Sequence, residues 1–430
     1  MEQPTITYSD SERRRTLLAV FVGYMFDGYD LQLISYLLQP MSVSLSTSVP
    51  ALALAVTYSL IGSVIGGFFF GWLADIVGRK RTLLLTIATF GVFTFATGFV
   101  TNITEVYLLR FLAGLGIGGE WGIGFSMLNE AWTEKTRGVT GSVLASMYPY
   151  GLLLAAVTTG TLLGEFGGAL GWRYSFMVAG LLSLGLLSLR FLLPESKMWS
   201  AYIQAKRAKT LPQGYDTRAP VSQIFSRTFR AKTVLISLLS IFALFGGYSM
   251  IVFVPSYLGA KGLHIPVSDY TIMISLALFL GTPGYWVDGY LADKLGRRKA
   301  SWIFITGLLL TLVSFFYEVL IHPVYTDLLH FPLFYILILF NFFQGYFGHL
   351  GVWFGELFPT KIRATASNFA FVVAGRGVGA GLAPILIPML ALQVGSYGLA
   401  MTAGGIIGAA VALLFTLLIT ETKGTVVTPL

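Results

Sequence analysis

The chain has 430 residues, of which 55% are hydrophobic and 11% charged, with no cysteine and a formal net charge of +8. So little polar surface cannot cover a soluble globule of this size, which places the chain in a lipid bilayer; its positive charge is then a matter of topology rather than of nucleic-acid binding. The lack of cysteine excludes disulfides, thiolate metal sites and cysteine nucleophiles.

The first sixteen residues, Met1 to Thr16, are polar and carry Arg13, Arg14 and Arg15 directly before a long apolar run with no small-residue cleavage site. That pattern reads as a retained first span rather than a secretory signal. Stretches able to cross about 30 Å of hydrocarbon as helices follow at 17–38, 50–73, 82–101, 104–132, 138–164, 172–193, 233–258, 268–291, 300–320, 332–357, 363–390 and 394–420. Helices satisfy their own backbone in lipid, and the runs lack the alternation of a barrel strand. The expected fold is therefore an all-α membrane protein with twelve transmembrane helices in two pseudo-symmetric six-helix bundles. The bundles span 1–194 and 233–430. The stretch 195–232, rich in Lys, Arg, Ser and Thr and without apolar periodicity, is expected to link them as a solvated face, or to meet lipid headgroups.

Lys and Arg fall in every second loop: at 13–15, Arg79 to Arg81, Lys135 and Arg137, the linker, Lys294 to Lys299, Lys361 and Arg363, and Lys423, with Arg173 and Lys261 nearly alone between them. Both termini are accordingly expected in the cytoplasm, in a plasma or inner membrane.

Gly71-Trp-Leu-Ala-Asp75-Ile-Val-Gly78-Arg79-Lys80 recurs as Gly289-Tyr-Leu-Ala-Asp293-Lys-Leu-Gly296-Arg297-Arg298, again between two apolar runs. Glu134-Lys-Thr-Arg137-Gly likewise corresponds to Pro359-Thr-Lys-Ile-Arg363-Ala, and Pro194-Glu195-Ser to Glu421-Thr-Lys-Gly. Two parallel six-helix repeats with these motifs resemble the major facilitator superfamily over essentially the whole chain, which implies a monomeric carrier working by alternating access. Gly78 and Gly296 suit a tight turn. Asp75 and Asp293 end a span where a carboxylate can meet the N-terminus of a neighbouring helix. The resemblance implies that Asp75 and Arg79 latch onto the start of the eleventh span near Arg363 when the cytoplasmic side closes, with Asp293, Arg297 and Glu356 as further gating residues; a topology anchor is the alternative.

Ionisable residues inside a span are costly and so are functional candidates. At 1.5 Å per residue from Leu17, Asp27 lies about 15 Å deep and Asp30 about 20 Å. Their spacing of three suggests one helical face and a shared proton, unless each is a structural pair. Asp-Gly-x-Asp in the first span is similar to the motif of aromatic-acid/proton symporters, and more loosely to nicotinate and sialate carriers. This implies proton coupling at Asp27 and Asp30, with Arg110 positioned to pair with Asp30 and Glu120 as a further proton site or a structural partner. Arg110 resembles the superfamily's fourth-span arginine, although Ala113 stands where that motif usually has Gln.

Arg376, near mid-depth in the eleventh span, can hold a carboxylate through two parallel hydrogen bonds and is the candidate substrate clamp. Its facing depends on a one-residue register relative to Arg363, and an acidic partner across helices is the alternative. Tyr29, Trp121, Tyr148, Tyr150, Tyr248, Phe245, Tyr346 and Trp353 are candidate cavity aromatics. His349 is a candidate for substrate or proton binding, or a packed hydrogen-bonding residue. Glu130 and Glu134 read as interface charge and Asp288 as part of the gate. Pro149, Gly151, Pro283 and Pro384 read as bend points.

No phosphate-binding Gly-Lys-Ser/Thr loop and no metal-ligand cluster is present in the sequence, so no enzyme, cofactor or metal site is expected. The acidic pair and the midplane arginine favour proton-coupled uptake of a small organic anion such as a monocarboxylate, aromatic acid or sugar acid. A sugar or polyol carrier, a drug/proton antiporter and a binding-only receptor remain as alternatives. The first lacks a glutamine-rich seventh span, and the second lacks the expected Gly-Pro pattern, the fifth span having Tyr148-Pro149-Tyr150-Gly151 instead.

Overall fold

The computed structural model describes residues 6–211, 219–259 and 262–427, and every regular element among them is a helix. Lys261 and part of the linker lie outside the described residues. Ten helices have the length and apolar content to cross a membrane. One of these, Arg137–Phe191, holds the fifth and sixth spans: Gly167 breaks it at φ 71° and ψ 174°, and Gly171 then lies against Leu162 and Leu163, so the chain has reversed. Arg79–Thr97 supplies the third span and completes twelve.

Local chemistry sets where the helices begin. Ser9 accepts from the N–H of Glu12 (3.2 Å) while its own N–H donates to the Glu12 carboxylate (2.8 Å), a reciprocal cap that starts the first span, Asp10–Ser44. Asn102 caps the fourth span, Ile103–Ala131, by accepting from the N–H of Glu105. The second and third spans, and the eighth and ninth, turn on Gly78 (φ 113°) and Gly296 (φ 103°), where a side chain would be strained.

The glycines of the second and fourth spans let two backbones touch. A Cβ on Gly66 would sit 1.8 Å from the carbonyl oxygen of Leu115, and one on Gly118 would sit 1.9 Å from that of Ser63. In lipid, where apolar side chains gain little by leaving one apolar medium for another, such close approach drives helix association.

Helical regularity fails in four of the later spans. The seventh, Arg230–Leu258, is interrupted between Ile251 and Val254. The eighth, Asp269–Leu295, is interrupted between Gly281 and Pro283. The tenth, Pro332–Glu356, tightens to a 3-10 turn over Gln344–Tyr346. The eleventh, Thr360–Val394, widens to a π-helix over Phe369–Ala380, just before Pro384. Pro149, by contrast, sits inside a continuous helical stretch.

The first six and last six spans meet through the second against the eleventh, the fourth against the tenth and eleventh, and the fifth against the eighth and tenth. The linker is more ordered than its composition suggests. It contains the helices Lys197–Arg207 and Pro220–Ile224, and Met198, Tyr202 and Ile224 are buried. Linker and both chain ends gather at one end of the bundle: the N–H of Lys197 donates to the Tyr8 hydroxyl, and Arg137 donates to the Thr425 carbonyl. This end, which also carries the two Gly-Arg turns, is called the basic end below.

Candidate functional site

A central cavity opens between the two sets of six spans. Tyr24, Trp121, Tyr148 and Pro149 form one wall, and Tyr248, Tyr285, Gln344, Phe371 and Arg376 form the other. Trp121 stacks on Phe371 at 3.8 Å and 6°, closing an aromatic floor across the two halves, and Tyr24 lies 5.6 Å from Tyr148. Arg376 is carried by the π-helical stretch of the eleventh span, an irregularity often found at functional sites. The wider winding changes which face the arginine presents, and this settles the register that the sequence left open.

Arg376 reaches from the cavity wall to Asp27 of the first span, Nη2 to Oδ2, at 3.5 Å. Both groups are buried, and neither Asp27 Oδ1 nor Arg376 Nη1 has a hydrogen-bond partner. A 3.5 Å contact has little hydrogen-bond character, so this buried ion pair is only partly satisfied.

The other intramembrane charges make shorter ion-pair contacts within one set of spans, with Asp288 also reached by the Ser142 hydroxyl of the other set at 3.5 Å. Asp30 accepts from Thr94 and pairs with Arg110 at 3.2 Å, while Arg110 also donates to Thr94 and Thr97, each at 3.0 Å. Glu120 accepts from Arg190 and from Thr86, both at 2.5 Å. His349 has both ring nitrogens engaged, Nδ1 with Asp288 at 2.7 Å and Nε2 with the Ser301 hydroxyl at 2.8 Å.

At the basic end the duplicated motif builds two matching clusters. Asp75 accepts from the N–H (2.9 Å) and hydroxyl (2.7 Å) of Thr365 in the first turn of the eleventh span, and pairs with Arg79 at 2.9 Å. Glu130 bridges Arg79 (3.2 Å) and Arg363 (2.7 Å), and Arg79 also donates to the Thr360 carbonyl. In the second cluster Asp293 accepts from the N–H groups of Gly138 (2.8 Å) and Val139 (2.9 Å) in the first turn of the fifth span, and pairs with Arg297 at 3.0 Å. Glu356 bridges Arg297 (2.9 Å) and Arg137 (2.8 Å). Each Gly-Arg turn is then capped by a carboxylate beyond the bundle: Glu195 accepts from the N–H groups of Arg79 and Lys80, and Glu421 from those of Arg297 and Arg298. Every one of these clusters crosses between the first six and last six spans, and each Asp meets a helix N-terminus, where the exposed N–H groups and the dipole favour an anion.

The family model described as Major Facilitator Superfamily matches residues 20–368. The chain belongs to that superfamily. This facilitator is 30% identical over 380 residues to a protein of Haemophilus influenzae named for metabolite transport, covering 88% of this chain and 89% of the other. It is 28% identical over 414 residues to a protein of Cupriavidus pinatubonensis named for 4-methylmuconolactone transport, covering 96% and 92%. A protein of Bacillus subtilis named for niacin and nicotinamide transport is 28% identical over 383 residues, covering 89% of each. Among solved structures, the proton:xylose symporter XylE bound to 6-bromo-6-deoxy-D-glucose superposes with a TM-score of 0.79 over 98% of both chains, at 20% identity, a likeness of fold. This facilitator is thus a multi-pass membrane transporter of small metabolites and not an enzyme.

Of the residues singled out in the sequence, the facilitator's cavity gathers Trp121, Tyr148, Tyr248 and Arg376. Others lie elsewhere. Tyr29 bonds Thr158 within the first set of spans, and Trp353 donates to the Thr420 carbonyl near the basic end. His349 is held in the second set of spans by Asp288, so Asp288 and His349 form a pair of their own rather than part of either cluster. Asp27 and Asp30, expected as a coupled pair on one face, take separate partners: three residues along a helix leave the two side chains about 60° apart, enough for one to face Arg376 and the other Arg110. Glu130, read as interface charge, is buried and joins two arginines. Sequence reasoning passed over Arg190, Tyr24, Tyr285 and Gln344. Arg190 alone carried a signal, as a cation in the last turn of the sixth span.

Proposed function

We propose that this facilitator is a proton-coupled symporter that takes up a small organic anion, with Asp27 as the proton site and Arg376 as the carboxylate clamp. The observation that carries the reading is the partly satisfied Asp27–Arg376 pair, whose arginine lines an aromatic cavity. While Asp27 is ionised it neutralises Arg376 and competes with an incoming carboxylate. Protonation of Asp27 removes that competitor, and the guanidinium, with Nη1 already unpartnered, can take the substrate in a two-point geometry. Proton and anion then bind in a mutually dependent way, as symport requires. The aromatic lining suits a flat acid such as an aromatic or conjugated carboxylate, in keeping with relatives named for niacin and methylmuconolactone transport.

The basic end lies in the cytoplasm on this reading, following the Lys and Arg distribution. The two clusters there act as the cytoplasmic gate: Asp75 and Asp293 hold the N-termini of the eleventh and fifth spans, and must release them for the substrate to leave. Asp30 with Arg110, and Glu120 with Arg190, fix the first bundle, and the protein works as a monomer.

The test is uptake into proteoliposomes under an inward proton gradient, with labelled benzoate, nicotinate, lactate, sialate and glucose. An organic acid should accumulate with the gradient, Arg376→Ala should lose that uptake, and Asp27→Asn should leave exchange of the acid but no accumulation. Uptake indifferent to the gradient and surviving both substitutions sinks the proposal.

A further inference from the structure

Gln344 is buried in the cavity wall, and neither its amide oxygen nor its amide nitrogen has a hydrogen-bond partner. Two uncharged polar neighbours in that cavity do not share this state. Asn341 donates to the Leu337 carbonyl and Thr282 to that of Leu278, each within its own helix. Gln344 opens the 3-10 turn of the tenth span, and the facing position on the seventh span is Gly247, where an added Cβ would lie 3.4 Å from Nε2. The missing side chain at Gly247 leaves the amide facing open space rather than a packed wall. A buried amide with both functions unmet is costly, and in a native structure such a group calls for a functional explanation, here a group that enters the cavity and completes it.

Arg376 stands on the eleventh span of the same cavity and reads charge. Gln344 offers one donor site and one acceptor site and no charge. We infer that Gln344 recognises a second, neutral polar group on the carried anion, so that the preferred substrate is a bifunctional acid: a carboxylate joined through a flat apolar body to a hydroxyl, ring nitrogen or carbonyl. This rests on the organic-anion reading given above and narrows it. A site built to hydrogen-bond a substrate group discriminates strongly against the analogue lacking it, because its own polar atoms are then left unmet.

The experiment compares uptake of benzoate, of its meta- and para-hydroxy derivatives and of nicotinate by the wild type, Gln344→Met and Gln344→Leu. In the wild type at least one bifunctional acid should exceed benzoate in kcat/KM by about tenfold or more. Both variants should bring that ratio to within about threefold, a ratio taken within each protein so that any change in overall uptake cancels. Thermal unfolding of the ligand-free proteins supplies a readout that a purely structural glutamine would move the other way. Since Gln344 has no protein partner, Gln344→Met should match or exceed the wild-type Tm, and only the extra stabilisation by the bifunctional acid should vanish. A preference unchanged by both variants, benzoate as the best substrate of the wild type, or a lower Tm in ligand-free Gln344→Met overturns the inference. If none of the acids is carried, the organic-anion reading falls and this inference with it.

Discussion

Several buried charges are decided at residue scale by partners far away in the sequence. Glu120 and Arg190 are seventy positions apart and almost fully buried, yet they meet at 2.5 Å. Removing one of them leaves an uncompensated buried charge, so Arg190→Met or Glu120→Met alone should lower stability by about 3–5 kcal/mol. The double substitution, which removes both charges, should cost clearly less than either single one. Thermal unfolding in detergent measures this, and equal losses in all three variants would show that packing rather than charge is at stake. Asp27 illustrates the opposite condition. It is as buried as Glu120, but its contact with Arg376 is long and crosses between the two sets of spans, which is why the proposed function is placed there and not at the tighter pairs.

Among the elements, two kinds of departure from a uniform helix matter. The first is close packing. Gly118→Val should prevent assembly of the first six spans, because even its Cβ would overlap the backbone at Ser63. Gly124→Ala in the same helix should be tolerated, since its Cβ would find only Val20, at 3.8 Å. The fraction of monodisperse protein on size exclusion distinguishes the two. The second is the extra cap on each Gly-Arg turn. Burial raises the Glu421 carboxyl, but the N–H groups of Arg298, Lys423, Arg297 and Thr422 outweigh that and hold it below the usual carboxylate value. A carboxylate lowered in the fold stabilises above its unfolded pKa, about 4.3 for Glu, and loses that contribution as pH falls through the lowered value. Glu421→Gln should therefore lower Tm at pH 7 and make little difference near pH 3, as read from melting curves at the two pH values.

At the scale of the whole molecule, the two clusters at the basic end join the first six spans to the last six by the same chemistry repeated. On the proposed alternating-access reading they set the population closed at that end. Asp75→Asn with Asp293→Asn should shift that population by more than either change alone. The chain has no cysteine, so a single cysteine replacing Ala145 in the cavity wall reports the shift cleanly: its labelling from the basic side should rise in each single variant and rise further in the double. Labelling unchanged in the double variant would remove the gating role from both aspartates.

The twelve spans, the duplicated motif and the glycine turns were legible in the amino-acid order because each depends on local causes: length against bilayer thickness, backbone freedom at one residue, repetition at fixed offsets. The superfamily followed from the same features. Arg376 could be recognised as a buried cation near mid-depth, but its orientation depended on a π-helical stretch that composition does not announce. Apart from Asp30 with Arg110, which acid meets which base across the bundle was settled only in the tertiary structure. Asp27 and Asp30 lie three residues apart and part company, while Glu130 and Arg363 lie 233 apart and join. The reason is physical: hydropathy is a property of a segment, whereas the satisfaction of a buried charge is a property of the neighbours that packing brings to it.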